Sequence, residues 1–214
     1  MVAKCARIFL QIVVCMCMVS GAHAGSYDDF FSAIEIDDAA SLSVLLARGF
    51  DPNTRNAEGQ VGLFIALQKE SYRAVDAIMK SKEVNVNAEN AAGETPVMLA
   101  ALKGNLEWTH KLLLRGAQVN KPGWTALHYA ACSPQPKVVS LLLDNGALIN
   151  AESPNRTTPL MMAARYGDEI NVQLLVDRQA DGRKTNEHGL DAAAFAKLAG
   201  RDGLAKALET RFSK

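Results

Sequence analysis

Two segments of this 214-residue chain match position by position, and this repeat constrains the fold more than any single residue does. They read GETPVMLAALKGNLEWTHKLLLRGAQVN, starting at Gly93, and GWTALHYAACSPQPKVVSLLLDNGALIN, starting at Gly123. Each places a Thr, an Ala-Ala step, a Gly-Ala pair and a final Asn at equal offsets, with three leucines before the Gly-Ala pair. Self-similarity at a period of about 33 residues predicts a stack of equivalent units. Such stacks form binding surfaces more often than active sites.

The pattern continues in both directions along the chain. Six repeats begin at Ser26, Gly59, Gly93, Gly123, Arg156 and Gly189, at intervals of 33, 34, 30, 33 and 33 residues. The fifth repeat reads RTTPLMMAARYGDEINVQLLVDRQAD, whereas the first and last repeats keep the pattern only in part. Degraded terminal repeats are expected, because they cover the stack and present one face to water.

The chain resembles the ankyrin repeat family in five segments. Three belong to the first helices, TPVMLAALKGN, TALHYAA and TPLMMAARYGD, and two close a repeat, LLLRGAQVN and LLLDNGALIN. The resemblance covers about residues 26–212. It implies an all-α solenoid of about six helix-turn-helix repeats with short β-hairpin fingers, and a function in protein–protein interaction. It does not identify the partner protein.

The residues of the pattern independently predict two helices in each repeat. Thr95, Thr125 and Thr158 are suited to cap the start of a first helix, and Pro96 and Pro159 follow where a missing amide proton costs nothing. The Ala-Ala steps let neighbouring helices approach closely. A second helix supplies an apolar stripe, and Gly116 or Gly146 is expected to end it in the left-handed conformation.

The first 24 residues differ from the repeats. Lys4 and Arg7 precede the largely apolar segment IFLQIVVCMCMV, and Ala22-His23-Ala24 follows. This order predicts a secretory signal peptide that is cleaved after Ala24, which leaves residues 25–214 as a single ankyrin-repeat domain. An uncleaved membrane anchor is the alternative, although spanning a bilayer takes about 20 apolar residues. A lipoprotein signal is less favoured, because no small residue precedes Cys15 or Cys17.

We expect the mature protein to be periplasmic, because the signal has a bacterial length. A eukaryotic secretory signal is the alternative, in which case Asn155-Arg156-Thr157 is a glycosylation sequon. Removing the signal leaves 21 basic and 23 acidic residues, so the charge favours neither nucleic acid nor an anionic membrane as partner. Of the four cysteines only Cys132 remains, and few thiols are usual in oxidising compartments when disulfides are absent.

The mature sequence contains no recognisable catalytic or metal-binding pattern. Its histidines, His110, His128 and His188, lie outside any HExxH, CxxC or clustered carboxylate spacing, and no phosphate-binding or nucleophile-elbow motif occurs. We therefore expect no metal, no cofactor and no enzymatic activity. The resemblance implies that His128 has a structural role and bonds between neighbouring repeats. We expect His110 to be exposed on a second helix.

The resemblance also implies where a partner binds, namely on the concave face formed by the finger tips and by the two residues after each Ala-Ala step. Trp124, which precedes the Thr of its repeat, is the finger residue that stands out. Trp108, in contrast, is expected in the core. The predicted partner-binding residues are Gln68, Lys69, Leu102, Lys103, Trp124, Cys132, Ser133, Arg165 and Tyr166.

One finger departs from the family pattern. Only Lys121 and Pro122 lie between Asn120 and Gly123, so this finger is three residues shorter than the others. Two interpretations of Trp124 follow. It either folds over the tight turn as a structural plug, or serves as an aromatic anchor beside a notch in the finger row, since Trp, Tyr and Arg dominate interface hot spots.

These observations predict a monomeric, exported module that binds another protein as a scaffold or as an inhibitor. The alternative is an enzyme or a redox-sensing protein that uses Cys132, which would require a thiol pKa well below 8.5.

Overall fold

The sequence repeat corresponds to a regular succession of helix pairs in the computed structural model, which describes residues 25–213. The predicted signal peptide, residues 1–24, lies outside this range. The chain divides between Asn85 and Val86 into two compact units. The single-domain organisation of residues 25–214 stays a prediction.

The N-terminal unit contains the first two helix pairs. Helix α1 covers residues 25–35 of the described chain. It is followed by α2 (Ala39–Ala47), α3 (Gly62–Lys69) and α4 (Tyr72–Lys80). Phe30 and Ile34 of α1 are fully buried. A Cβ atom at Gly62 would lie 2.6 Å from the Phe30 ring, so glycine at the start of α3 lets α1 pack against it.

The C-terminal unit contains the other four pairs. They are α5 (Pro96–Leu102) and α6 (Leu106–Leu114), α7 (Ala126–Ala131) and α8 (Pro136–Asp144), α9 (Pro159–Tyr166) and α10 (Glu169–Asp177), and α11 (Ala192–Leu198) and α12 (Asp202–Phe212). The first helices pack side by side in the order α5, α7, α9, α11, and the second helices form a row α6, α8, α10. The described residues of both units contain no β-strand, which confirms the all-α fold.

The helix boundaries follow the predicted signals. Thr95, Thr125 and Thr158 are the N-caps of α5, α7 and α9, with proline next at the start of α5 and α9. Gly116 and Gly146 follow α6 and α8 with φ of 87° and 83°. Ala117 and Ala147 then donate backbone hydrogen bonds of 2.9 Å to the carbonyls of Leu112 and Leu142, which closes each helix end.

The apolar stripe of the second helices follows the four-residue spacing. In α6 the buried residues Trp108 and Leu112 lie one turn apart, as Val138 and Leu142 do in α8. Trp108 is only 4% exposed, which confirms its predicted place in the core.

The described fingers are tight turns that are too short to contain a β-strand. Asn90 shows the geometry: its backbone N–H donates to the Glu94 carbonyl at 3.0 Å, and its Oδ1 accepts the N–H groups of Ala92 and Glu94. Asn56, Ser153 and Asn186 each bond to the backbone four residues later in the same way. One side chain therefore closes each loop. The backbone hydrogen bonding across each loop is too short to form a β-strand. In the described chain, Arg55 and Val61 form an isolated antiparallel bridge.

Candidate functional site

The C-terminal ends of the first helices form the candidate face of the C-terminal unit. Because α5, α7, α9 and α11 lie side by side with the same polarity, equivalent residues at their ends form a row. The row consists of Leu102, Cys132, Arg165 and Leu198. We call these residues, with Lys103, Trp124, Tyr129 and Tyr166, the inner face.

The α5 end of the inner face contributes Leu102 and Lys103. Leu102 is 41% exposed, although it is apolar. Lys103 is half-buried and caps the C-terminus of α5, where its N–H bonds to the carbonyls of Leu99 and Ala101. Both residues are accessible from the same edge of the helix row.

The α9 end carries a guanidinium group next to two aromatic rings. The Arg165 Cζ atom lies 5.1 Å from the ring centroid of Tyr166 and 6.0 Å from that of Phe195 on α11. Tyr166 is 57% exposed, whereas Phe195 is buried. Cation–π contacts at these distances orient the guanidinium group. The residue types and their partial exposure are those of an interface hot spot.

Ser133 is a correction to the predicted site. Its side chain is buried, and its Oγ accepts a hydrogen bond of 3.3 Å from the Gln135 N–H. The backbone carbonyl of Ser133 accepts a 2.7 Å bond from the side-chain amide of Asn171 on α10. Because the next repeat covers it, Ser133 is not available to a partner and does not belong to the inner face.

Cys132 is half-buried, and its thiol lies close to backbone carbonyls. Its Sγ is 3.5 Å from the His128 carbonyl oxygen and 4.0 Å from that of Met162. Burial raises the pKa of the Cys132 thiol to about 11, because the thiolate would lose its hydration. This is the opposite of the low pKa that a reactive cysteine requires.

Trp124 is half-buried beside the shortened finger. Its ring contacts the His128 ring edge-to-face, with centroids 5.2 Å apart and an interplanar angle of 75°. Part of the indole therefore packs on α7, and part remains accessible. Lys121 of the shortened finger contacts the preceding finger, since its Nζ bonds to the Gly93 carbonyl at 2.7 Å and to Glu89 Oε1 at 3.0 Å.

His128 itself is fully buried and bonds on both sides of its ring. Nδ1 accepts the Thr125 N–H at 3.1 Å, and Nε2 lies 2.9 Å from the Thr157 carbonyl of the next repeat. The ring therefore links two repeats, as the resemblance implied. His110 is exposed, as expected.

Tyr129 is a residue of the inner face that the sequence reasoning missed. It is half-buried, and its hydroxyl donates a 2.8 Å hydrogen bond to Glu94 Oε1 on the preceding finger. Burial is the main reason why the pKa of Tyr129 lies above its ordinary value. The neighbouring Glu94 carboxylate raises this pKa further. Its position directly before the Ala-Ala step, on the accessible side of α7, was the signal that could have revealed it.

Gln68 and Lys69 lie in the N-terminal unit, at the end of α3, and both are exposed. Lys69 Nζ pairs with Glu35 Oε2 at 2.6 Å. Their relation to the inner face therefore stays a prediction.

Two kinds of site are absent from the described residues. No group of three or more His, Cys, Asp or Glu side chains is placed to hold a metal ion between residues 25 and 213. No helix in that range has both the length and the apolar character needed to cross a membrane.

The chain is similar to known repeat proteins over much of its length. It is 30% identical over 159 residues to the human transient receptor potential cation channel subfamily A member 1, a match that covers 69% of this chain and 14% of the channel. It is 32% identical over 130 residues to ankyrin repeat and SAM domain-containing protein 6 of Rattus norvegicus, covering 58% and 15%. The chain thus spans about one seventh of the length of these relatives.

A solved structure matches a larger share. It is a chain in the structure of a predatory endopeptidase from Bdellovibrio bacteriovorus in complex with an immunity protein. The TM-score is 0.73 at 28% sequence identity, and the match covers 85% of this chain and 97% of that one.

Family models locate the repeats directly. The model described as "Ankyrin repeats (3 copies)" matches residues 30–122 and 63–153, and the model described as "Ankyrin repeat" matches residues 155–187. These matches cover well over half of the chain and coincide with the helix pairs described above. The chain belongs to the ankyrin repeat family.

Proposed function

We propose that this chain is an exported, periplasmic inhibitor that blocks a peptidase by binding it through the inner face. Ankyrin repeats are protein–protein interaction modules, and the residues of the inner face supply the chemistry of such an interface. Tyr, Trp and Arg are the residue types that dominate binding hot spots, and Trp124, Arg165 and Tyr166 are all accessible in part.

The similarity to the endopeptidase complex carries the proposal of inhibition. This chain covers 97% of the matched chain, so the matched chain consists of the same helix pairs and little else. We infer that it is the immunity protein, because a row of helix pairs provides a binding surface rather than a protease site. That structure contains the immunity protein in complex with an endopeptidase, and we infer that the complex blocks the enzyme. A comparable role here fits the signal-like segment at residues 1–24, which would take the inhibitor to the compartment of an exported enzyme.

The alternative function, a redox sensor or enzyme that uses Cys132, is less well supported. The raised pKa of the thiol disfavours the thiolate. No base of the described residues is within bonding reach of the sulfur, whose contacts are two backbone carbonyls.

Export is tested by N-terminal sequencing of the protein recovered from the periplasm. The proposal predicts a chain that begins at Gly25. A full-length product that stays in the cytosol would contradict the proposed location.

Inhibition is tested by capturing a periplasmic peptidase on immobilised residues 25–214 and titrating its activity with the free chain. Trp124→Ala and Tyr166→Ala should each raise the inhibition constant about 30-fold, which corresponds to about 2 kcal/mol for an interface anchor. Leu114→Ala is the matched control, because Leu114 is 74% exposed at the end of α6, on a second helix. An equal effect of Leu114→Ala would contradict the proposed face.

The two interpretations of Trp124 are separated by stability measurements on the same variants. If Trp124 is an anchor, Trp124→Ala leaves the melting temperature nearly unchanged. Trp108→Ala should destabilise the fold by about 3–5 kcal/mol, as expected for a cavity in the core. A Trp124→Ala variant that melts earlier but inhibits normally would identify Trp124 as a plug.

A further inference from the structure

Arg165 is held in place by its neighbours rather than by a carboxylate. It lies in the last turn of α9, half-buried, with its guanidinium carbon near the rings of Tyr166 and Phe195. Stacking on an aromatic ring leaves the five N–H donors at the edge of the guanidinium plane accessible. The side chain is thereby partly pre-organised, which reduces the entropy lost when a partner group binds.

Several other basic side chains of the last two repeats already have partners. Lys197 Nζ lies 2.5 Å from Glu209 Oε1 on α12. Arg201 donates to the carbonyls at the C-terminus of α9 and lies 3.8 Å from Glu169. Arg178 pairs with Asp144 at 2.8 Å. None of the ion pairs in the described part of the chain includes Arg165, so no carboxylate of those residues neutralises its charge.

Exposed apolar side chains follow Arg165 in the chain and occupy its equivalent position on α11. Tyr166 and Leu198 are both 57% exposed, and Leu198 occupies on α11 the position that Arg165 occupies on α9. A partner segment that contacts this part of the inner face therefore meets one unpaired cation between exposed apolar side chains. Charge complementarity favours an anion at that contact, and a planar guanidinium group matches a carboxylate through two parallel hydrogen bonds.

We propose that Arg165 binds the side-chain carboxylate of an Asp or Glu residue of the partner protein, and that an apolar residue beside this carboxylate packs on Tyr166 and Leu198. The inference rests on the proposed function, because it specifies the chemistry of the epitope that the inner face recognises. It assigns Arg165 as the residue that selects an acidic over a neutral epitope.

The test uses two terminally blocked peptides with the central sequence Leu-Glu-Leu or Leu-Gln-Leu, titrated into residues 25–214 by NMR. The signal to follow is the Nε–H resonance of Arg165. The Glu peptide should shift it with a dissociation constant of about 1 mM or lower, and the Gln peptide should bind at least about tenfold more weakly. Equal affinities for the two peptides, or no binding of the Glu peptide at about 10 mM, would overturn the proposal.

Variants of Arg165 test whether this residue binds the carboxylate of the Glu peptide. Arg165→Gln should reduce the affinity for the Glu peptide to that for the Gln peptide, and Arg165→Lys should give an intermediate value, because lysine keeps the charge but not the paired donors. Arg178→Gln is the control and should bind the Glu peptide like the unmodified chain. Unchanged affinity of Arg165→Gln, with a native melting curve, would also overturn the proposal.

The captured peptidase separates this inference from the proposed function. If Tyr166→Ala weakens inhibition while Arg165→Gln does not, the proposed function stands and the assignment of Arg165 is wrong. If no peptidase is captured but the Glu peptide binds selectively through Arg165, the carboxylate site stands and the proposed function is wrong.

Discussion

At the scale of single residues, one position of the repeat makes different hydrogen bonds in three repeats. It is occupied by Met98, His128 and Met161. Each accepts the backbone N–H of the N-cap threonine three residues earlier, through Sδ at 3.4 Å in the two methionines and Nδ1 at 3.1 Å in the histidine. Only His128 reaches the next repeat, where Nε2 bonds to the Thr157 carbonyl. Its ring must therefore be neutral, with Nδ1 as acceptor and Nε2 as donor.

The neutral His128 ring makes stability depend on pH. Burial lowers the pKa of His128 below its ordinary value of 6.5. As the pH falls through 6.5, the unfolded chain therefore binds a proton before the folded chain does. The contribution to the free energy of unfolding is complete above pH 6.5 and is lost below it, by up to about 1.4 kcal/mol per pH unit. Urea denaturation between pH 8 and pH 5 measures this dependence.

His128→Met is the matched control, because methionine occupies the equivalent positions 98 and 161. The variant should be less stable at pH 8, since it loses the bond to Thr157, but its stability should vary less between pH 6.5 and pH 5. A pH dependence that is the same with and without His128 would show that other groups cause it.

Cys132 should react slowly in the folded protein. With a thiol pKa of about 11 instead of 9.0, the thiolate fraction at pH 8 is about a hundredfold lower than in the unfolded chain. Alkylation by iodoacetamide at pH 8, followed by mass spectrometry, should be slower by at least this factor without urea than in urea. If the folded protein is alkylated as fast as the protein in urea, the result would support the redox alternative.

At the scale of helices, the C-termini of α7 and α9 are closed by the next repeat. The side-chain amide of Asn171 on α10 bonds to the carbonyls of Ala131 and Ser133 at the end of α7. Arg201 Nη1 bonds to the carbonyls of Ala163, Ala164 and Gly167 at the end of α9, at 2.8–3.2 Å. These bonds satisfy carbonyls that a helix leaves unpaired, and they link the repeats that carry the inner face.

Gly167 lies where two repeats approach most closely. A Cβ atom there would be 2.1 Å from the Ala131 carbonyl oxygen, although φ of −92° is accessible to any residue. Gly167→Ala should destabilise the protein by about 2 kcal/mol or more, because backbone must move to relieve the contact. Gly203→Ala on α12 is the control, since no atom lies within 4 Å of its Cβ and alanine favours a helix. Thermal melts of both variants check these opposite effects.

The sequence predicted these elements well because their signals are local. The Thr-Pro starts and the Gly116 and Gly146 ends of the helices depend on residues within one turn, and all were placed correctly.

Ser133 was misplaced because the next repeat, through Asn171, decides its burial. The described fingers contain no strand because Asn and Ser side chains close the loops within five residues. Tyr129 was missed because its bond to Glu94 joins residues 35 apart.

At the scale of the whole molecule, the terminal repeats protect the apolar surfaces of the inner ones. Within the C-terminal unit, α11 packs on α9, and its buried residues Ala192, Ala193 and Ala196 face the rest of the unit. Arg201 adds its bonds to α9 from the same repeat. The last repeat is therefore expected to act as a cap.

Removing the last repeat should expose this surface. A chain that ends at His188 should aggregate or lose the native melting transition, because the apolar side of α9 becomes accessible to water. Light scattering after size-exclusion chromatography measures this. A monomeric truncation with the original melting temperature would contradict the role of α11 and α12 as a cap.

The central claim is that the inner face of the C-terminal unit contacts a partner protein. It is tested most directly by replacing one residue at a time with the photo-crosslinker p-benzoylphenylalanine and irradiating intact cells. The account predicts a covalent adduct to a single protein from position 166 on the inner face, and none from position 114 at the end of α6. An adduct from position 114 and none from position 166, or no adduct from either position, would contradict it.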